Sequence, residues 1–170
     1  MFMPIRKLHH VAYRCHNAHE TVDFYTRVLG LKFAHAVRND QVPSTREFYP
    51  HLHIFFEMAD GSYIAFFELP TEDTMAFDPN TPRWVQHLAL EIDDESALAN
   101  WMTRLRANGV DIIGPTDHGF VRSIYFFDPN GHRLELTCRT AAPDYLTNAS
   151  RQAYELLARW QADRADWRGE

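Results

Sequence analysis

The chain has 170 residues, of which 45% are hydrophobic and 14% aromatic, enough to bury the core of one domain or of two small fused modules. Its formal net charge is −6, which excludes nucleic acid held by bulk electrostatics. The two cysteines, Cys15 and Cys138, do not make a disulfide framework. The chain shows neither a secretory signal nor an apolar run of roughly 18 residues that could cross a membrane. We therefore expect a cytoplasmic protein with no membrane or nucleic-acid partner.

The first half of the chain changes from strand periodicity to helix periodicity and back. Residues 8–15 alternate between an apolar face and a mixed face that carries His10, which is typical of a strand. Asn17, followed by Glu20 three residues later, predicts the start of a helix, and Gly30 predicts its end. Further strands are predicted at 31–37, 52–58 and 62–69.

After a polar, proline-bearing connection at 70–83, the same order of elements returns. A predicted strand at 85–92 carries His87 on its mixed face, at the point that matches His10 in the first repeat. The repeat predicts an α+β fold of two tandem modules, residues 6–70 and 83–138. The other elements predicted for the second module are a helix at 93–109 and strands at 110–115, 120–127 and 132–138.

The last segment of the chain does not belong to the repeat. Residues 150–167 form an amphipathic pattern, which predicts a helix. We expect a single domain at 1–140 with a helical extension at 141–170. The apolar face of the predicted helix suggests that it covers the edge of the core or a partner subunit, and we expect a homodimer.

Two histidines and one glutamate carry the predicted chemistry. A single strand histidine is usually structural, but His10 and His87 recur at the same point of both repeats. Paired modules would bring both imidazoles to one cavity, where a divalent metal needs an anionic third ligand. Glu135 is the candidate, because a carboxylate buried among strand leucines is costly unless it is paired or coordinated. The alternative for Glu135 is a position facing solvent.

The same segments resemble a known family. "LHHVAYRCHNAHETVDFYTRVLGLKF" and "FDPNGHRLEL" are similar to the opening strand and helix and to the closing hairpin of the vicinal oxygen chelate superfamily. That superfamily includes glyoxalase I, fosfomycin-resistance enzymes, methylmalonyl-CoA epimerase and type I extradiol dioxygenases. The resemblance covers roughly residues 6–138. It implies two βαβββ modules that form a half-barrel cavity around a divalent metal, with His10, His87 and Glu135 as ligands.

The stretch 116–137 resembles the extradiol dioxygenase signature in particular. It contains His118, the pair Ile124–Tyr125, a D-P-x-G turn and Glu135. The resemblance implies that His118 and Tyr125 are catalytic residues that hydrogen-bond a bound catecholate or oxygen. The alternatives are a loop histidine and a hairpin tyrosine at the rim. The expected cofactor is Fe(II), with Mn, Zn or Ni as alternatives, and the expected substrates are O2 and a small aromatic or apolar molecule.

Two positions depart from the patterns of the family. Ring-cleaving members carry a further acid–base histidine where this chain reads "DGSYIAFF", and His53 on the preceding strand is the candidate substitute, with a structural role as the alternative. Glyoxalase I uses a fourth ligand, for which Glu68 is the candidate here. Glu68 lies an odd number of residues after the turn glycine Gly61, whereas Glu135 lies an even number after Gly131. The parity places Glu68 on the opposite face unless a bulge intervenes.

Three classes of function therefore stay open. The first is an Fe(II)-dependent dioxygenase that cleaves a catechol-like ring, and the second is a glyoxalase-like or epimerase-like enzyme that transfers protons without O2. The third is a metal-free drug-binding protein of the bleomycin-resistance type, which would not need the ligand triad. No basic cluster suited to a phosphonate is evident, although Arg122 and Arg133 lie near the signature. The predicted pocket walls are Phe55, Phe67 and Trp84.

Overall fold

The computed structural model describes residues 3–70 and 75–168, without the side chains of residues 165–168. It contains the predicted repeat, in which each module is one mixed four-stranded sheet whose strands, counted along the module, are ordered first, fourth, third, second. The α+β fold of two βαβββ modules followed by a C-terminal helix is thus confirmed. The first module comprises β1 (His10–Cys15), α1 (Ala18–Asp23), a π-helical turn (Phe24–Val28), β2 (Lys32–Gln41), β3 (Phe48–Glu57) and β4 (Tyr63–Glu68). The rest comprises β5 (Leu88–Glu91), α2 (Glu95–Ala107), β6 (Ile113–Asp117), β7 (Val121–Phe127), β8 (Arg133–Arg139) and α3 (Tyr145–Arg168).

The two sheets share one strand register, which makes their positions comparable. In the first sheet, Ala12 of β1 pairs with Ala65 of the parallel strand β4. In the second, Ala89 of β5 pairs with Glu135 of the parallel strand β8. Ala65 therefore occupies the place in the first sheet that Glu135 occupies in the second, on the face turned away from the helices.

The beginning of α1 explains the position of Glu68. Asn17 caps the helix, because its side chain accepts a hydrogen bond from the backbone N–H of Glu20 at 3.1 Å. The Glu68 carboxylate accepts a second one from the N–H of Ala18 at 2.6 Å. A carboxylate at this end also interacts favourably with the helix dipole. The Glu68 side chain thus lies on the helix-facing side of the first sheet, where it caps α1.

One hydrophobic cluster joins the helix-facing sides of both modules. Tyr25 lies at its centre, fully buried and stacked on Phe56 with ring centroids 4.9 Å apart. Phe126 and Leu134 of the second sheet and Leu105 of α2 belong to the same cluster. Aromatic side chains of this size each bury roughly 150–250 Å², so the modules share one core.

The turn between β7 and β8, residues 128–132, holds the second module against the first. Its side chains Asp128 and Asn130 are buried, with only 4% of Asn130 exposed. Removing one partner of a hydrogen bond to these side chains would leave a buried polar group without a partner, at a cost of about 1–3 kcal/mol. Four hydrogen bonds cross between the modules here: Tyr25 to Asp128 at 3.2 Å, the N–H of His16 to Asn130 at 2.9 Å, the Asn130 amide to the Thr21 hydroxyl at 3.2 Å, and His132 to the carbonyl of Arg14 at 2.7 Å.

The C-terminal helix α3 is longer than its sequence pattern predicted, and it does not cover the edge of the core as expected. It begins beside the second sheet, where Tyr145 stacks on Phe120 with ring centroids 5.4 Å apart. Farther along, the Leu156, Leu157 and Trp160 side chains stay more than half exposed. Within the described residues, no core surface covers these apolar side chains. In the described ranges, no helix combines the length and the apolar character that a membrane span requires.

Candidate functional site

A histidine and a carboxylate meet on the second sheet, on the face away from the helices. His87 Nε2 lies 3.0 Å from Glu135 Oε2, and the Glu135 side chain is only 7% exposed. His87 lies just before β5, and its Nδ1 contacts the carbonyl of Val85 at 3.1 Å. Because a carbonyl only accepts, Nδ1 donates, and in the neutral ring the Nε2 lone pair then points at the carboxylate. Two such acceptors at 3.0 Å require a proton or a cation between them.

Tyr125 and His118 extend this pair into a polar network. His118 Nε2 lies 2.8 Å from the Tyr125 hydroxyl. Burial, and next the negative charge of Glu135, raise the pKa of Tyr125. The phenol therefore stays protonated at neutral pH and keeps a proton to donate. Four of the six predicted site residues, His87, Glu135, Tyr125 and His118, thus lie together on one sheet.

The other two predicted residues, His10 and His53, lie on the equivalent face of the first sheet. Their ring centroids are 6.2 Å apart, and His53 is stacked on Phe67 at 3.6 Å and lies 4.1 Å from Phe55. Burial, and next the neighbouring His10, lower the pKa of His53 to about 4. Its Nε2 is buried without a hydrogen-bond partner in the described part of the chain. His53 is therefore a neutral imidazole with an unused ring nitrogen.

The structure does not bring the three predicted metal ligands together within one chain. Among residues 3–70 and 75–168, no group of three or more histidine, cysteine, aspartate or glutamate side chains is placed to hold a metal ion. His10 thus stays apart from the His87–Glu135 pair. Glu68 is on the opposite face from His10, since the pairing of β4 with β1 and β3 continues without a bulge. The parity argument from the sequence agrees with this placement.

A pocket of about 560 Å³ adjoins His87, between the linker at 75–86, β1 and β8. Arg14, Arg83 and Arg133 line it together with Phe77. No basic cluster is evident from the sequence because these arginines come from three distant segments of the chain. The sequence does indicate that Arg133 lies near the site, because it is two residues before Glu135 on β8 and therefore on the same face. Nothing in the sequence indicates that Arg14 and Arg83 line this pocket.

Two of the aromatic wall residues expected from the sequence lie on the first sheet instead. Phe55 and Phe67 enclose His53 there, and Trp84 is 68% exposed. The walls beside His87 include Phe77 and Phe127. The aromatic residues beside His87 are thus different from those expected, whereas Phe55 and Phe67 lie on the same face as His10 and His53.

Residues 7–136 match the family described as the Glyoxalase/Bleomycin resistance protein/Dioxygenase superfamily. The chain is 27% identical over 146 residues to MhqA of Bacillus subtilis (strain 168), named as a proposed ring-cleaving dioxygenase; the match covers 84% of this chain and 43% of MhqA. It is also 27% identical over 139 residues to a lactoylglutathione lyase of Neisseria meningitidis serogroup A / serotype 4A, covering 81% and 94%. The chain thus spans less than half of the first relative and most of the second.

A solved structure has the same fold and contains a metal. The fosfomycin resistance protein FosX of Listeria monocytogenes, complexed with Mn(II) and sulfate, superimposes with a TM-score of 0.57 at 22% identity, over 81% of this chain and 95% of FosX. Dioxygenase, lyase and resistance protein are thus all similar to this chain. Divalent-metal enzymes predominate among such proteins, whereas the reaction varies from one to another.

Proposed function

Because the chain belongs to the Glyoxalase/Bleomycin resistance protein/Dioxygenase superfamily, we propose that it is an Fe(II)-dependent dioxygenase that cleaves a catechol-like ring with O2. The observation that carries the choice of reaction is the position of Glu68, whose carboxylate is bound to the N–H of Ala18. The site then has one carboxylate, Glu135, and two histidines, His10 and His87. Three ligands leave coordination positions open for a bidentate substrate and O2, as in non-haem Fe(II) oxygenases.

The donor set fits such a metal. His87 is oriented by the Val85 carbonyl, which is the kind of outer contact that fixes the tautomer of a ligating histidine. The Nε2 of the neutral His87 ring lies 3.0 Å from the Glu135 carboxylate, and both groups are acceptors. A bound divalent metal supplies polarisation of the catechol oxygens, which lowers the pKa of the hydroxyl groups.

The side chains around this pair handle protons and charge. The Tyr125 hydroxyl, kept protonated by burial beside Glu135, donates to negative charge that develops on the substrate oxygens. His118 Nε2 lies 2.8 Å from that hydroxyl, and in the Nε2–H tautomer it donates to the phenol oxygen, which leaves the phenol proton free for the substrate. On the other sheet, the neutral His53 offers its unused Nε2 to a substrate hydroxyl proton.

The proposal includes a homodimer. His10 lies on a different sheet from His87 and Glu135, and the three do not meet within one chain. A two-fold dimer uses the same surfaces twice, so the first sheet of each copy can face the second sheet of the other. Each half-barrel cavity would then take His10 and His53 from one copy and His87, Glu135, Tyr125 and His118 from its partner.

The test is oxygen uptake. Protein reconstituted with Fe(II) without air is mixed with a panel of catechols in an oxygen-electrode cell, and a yellow ring-opened product is followed by absorbance. We expect oxygen consumption that requires both Fe(II) and the catechol. Absence of uptake across the panel, together with activity on a thiol hemithioacetal with Ni(II) or Zn(II), would contradict the dioxygenase.

A proton-transferring lyase or isomerase is the second candidate. The segment 60–67 lacks the acid–base histidine of ring-cleaving relatives, which favours it, and so does the lactoylglutathione lyase match over 94% of that protein's length. The hemithioacetal arm of the same experiment tests this candidate directly.

A further inference from the structure

We propose that the pocket beside His87 binds a carboxylate group through Arg83 and Arg133, so that the ligand is an aromatic acid. The identity of the substrate as a catechol rests on the proposed function; the carboxylate preference does not. In combination, the two identify the substrate class as catechols that carry a carboxylate on a short side chain.

The pocket has the size and walls for a single aromatic ring. Its volume of about 560 Å³ lies within the range of roughly 300–1,000 Å³ that small-ligand sites occupy. Phe77 and Phe127 supply apolar wall surface beside the turn glycine Gly131. A side chain at Gly131 would approach the Phe77 ring to 3.2 Å, so glycine keeps this wall in place.

Aromatic rings hold both guanidinium groups in position. The Arg83 Cζ lies 4.7 Å from the centroid of Phe127, and the Arg133 Cζ lies 4.2 Å from that of Tyr125. A guanidinium group stacked on a ring still presents its N–H edge to an acceptor in its plane. That edge matches the two oxygens of a carboxylate.

Neither arginine has a carboxylate partner within the described residues. No side-chain oxygen of aspartate or glutamate lies within 4.0 Å of Arg83 or Arg133 there, although Arg122 on β7 is paired with Glu95 and Asp117. The Arg133 Nε is moreover buried without an acceptor. The acid that lines the pocket, Asp78, is bound to the Thr81 hydroxyl and the N–H of Asn80.

These observations leave an acceptor missing from the pocket. An unsatisfied buried donor costs about 1–3 kcal/mol, and more when the group is charged. A bound carboxylate offsets the positive charge of Arg83 and Arg133.

The pocket adjoins the His87–Glu135 pair through His87. His87 itself lines it, and Arg133 lies two residues before Glu135 on the same face of β8. A ligand whose carboxylate binds the arginines therefore places its ring near His87. This orientation gives the carboxylate a role in positioning the reactive ring.

The first experiment uses phenylacetate and phenylacetamide, which have the same shape but differ in charge and lack the hydroxyls that chelate metal. Calorimetric titration of the metal-free 170-residue chain gives both dissociation constants. We expect phenylacetate to bind at least about tenfold more tightly, since one charge-assisted hydrogen bond of about 1.5–3 kcal/mol corresponds to tenfold or more. Equal binding, or no binding of either, overturns the carboxylate site.

Variants then assign the preference to Arg133. Arg133→Gln should abolish the difference between acid and amide, and Arg133→Lys should retain part of it. Arg122→Gln, on the neighbouring strand but with its partners outside the pocket, should leave the difference unchanged. Circular dichroism shows whether each variant folds; the comparison of ligands on the unaltered protein does not depend on them. An undiminished difference in a folded Arg133→Gln variant overturns the assignment.

A second experiment separates this proposal from the dioxygenase. The Fe(II)-loaded protein is assayed for O2 uptake with 3,4-dihydroxyphenylacetate and with its amide. Uptake with equal KM for both retains the dioxygenase and overturns the carboxylate site. Tight, Arg133-dependent binding of phenylacetate without uptake from either catechol retains the carboxylate site and overturns the dioxygenase.

Discussion

The two sheets of this protein have the same strand order and register, but at equivalent positions of the face away from the helices the second has polar side chains where the first has apolar ones. On the second sheet, Glu135 is joined there by His87, Tyr125 and a Ser123–Thr137 hydrogen bond of 2.9 Å. At the equivalent positions the first sheet has Ala65 in place of Glu135 and Phe55 in place of Tyr125. A stack of His53 on Phe67 stands where Ser123 pairs with Thr137.

The difference shows what the fold determines and what it leaves to individual residues. The register places Ala65 of β4 and Glu135 of β8 at equivalent points of the two sheets. Each of these strands pairs in parallel with a strand that has a histidine at its start, His10 in β1 and His87 just before β5. Only the second sheet uses its point for a carboxylate. The fold therefore offers two equivalent sites for the chemistry, and residue identity decides which one carries the anionic ligand.

Removing that carboxylate should have the largest effect. Glu135→Ala should lower the affinity for Fe(II) or Mn(II) by at least about a hundredfold, since even the loss of an outer partner of a ligand costs 10–100-fold. Elemental analysis after dialysis against metal gives the occupancy. Glu91→Ala is the matched control on the same sheet, because Glu91 is exposed and paired with Arg139. Full occupancy in Glu135→Ala would show that the ligand assignment is wrong.

Mixing two inactive variants tests whether the sheets of different copies cooperate. His10→Ala and Glu135→Ala should each be inactive alone. Unfolded and refolded as an equal mixture, they should regain about a quarter of the normal activity, because half of the two-fold dimers are mixed and each mixed dimer has one intact site. The activity is measured as oxygen uptake, with each variant refolded alone as the control. No recovery, from a mixture that is dimeric in analytical ultracentrifugation, contradicts a site shared between copies.

Exchanging the equivalent aromatic residues compares the two faces directly. Tyr125→Phe removes the protonated hydroxyl beside Glu135 and should lower kcat by about 10²-fold or more while metal occupancy stays normal. Phe55→Tyr, the reciprocal change on the first sheet, should alter kcat only slightly. Steady-state kinetics on both variants give the comparison. Equal losses in the two variants would mean that the polar network on the second sheet has no special part in the reaction.

The smallest effect is expected at Glu68. Glu68→Gln keeps a hydrogen-bond acceptor for the N–H of Ala18 but removes the charge at the start of α1, so the free energy of unfolding should fall by about 0.3–1 kcal/mol. Urea denaturation measures this loss, with Glu57→Gln on β3 as the control. Metal affinity should not change. A decrease in metal affinity like that of Glu135→Ala would identify Glu68 as a fourth ligand and favour the lyase.

Much of the fold could be predicted from the sequence because local patterns determine it. The alternation around His10 and around Glu135, the Asn17 cap and the turn glycines all fix elements that depend on near neighbours. The same alternation correctly separated Glu68 from Glu135. Each of these features belongs to one strand or one turn and does not depend on how the modules pack.

Features that depend on packing between distant segments were not accessible in this way. The separation of His10 from His87 follows from the docking of the two modules, which the turn at 128–132 controls. Asn130 and His132 lie in a turn that the local sequence pattern identifies, yet that pattern gives no sign that both bond to the first module. Arg83 joins Arg133 only through the path of the linker. The amphipathic pattern of α3 likewise shows which face is apolar, but not what covers it.

The bonds from the turn at 128–132 also bear on how such tandem proteins evolve. Two duplicated halves can be recombined freely only while each is self-sufficient. Here Asp128, Asn130 and His132 of the later half bond to the Tyr25 and Thr21 hydroxyls, the N–H of His16 and the carbonyl of Arg14 in the earlier half. Two of these partners are backbone groups that nearly any sequence provides, whereas Tyr25 and Thr21 are specific side chains. A chimaera joined within the linker should therefore tolerate a foreign first half only when that half brings hydroxyl side chains to both positions.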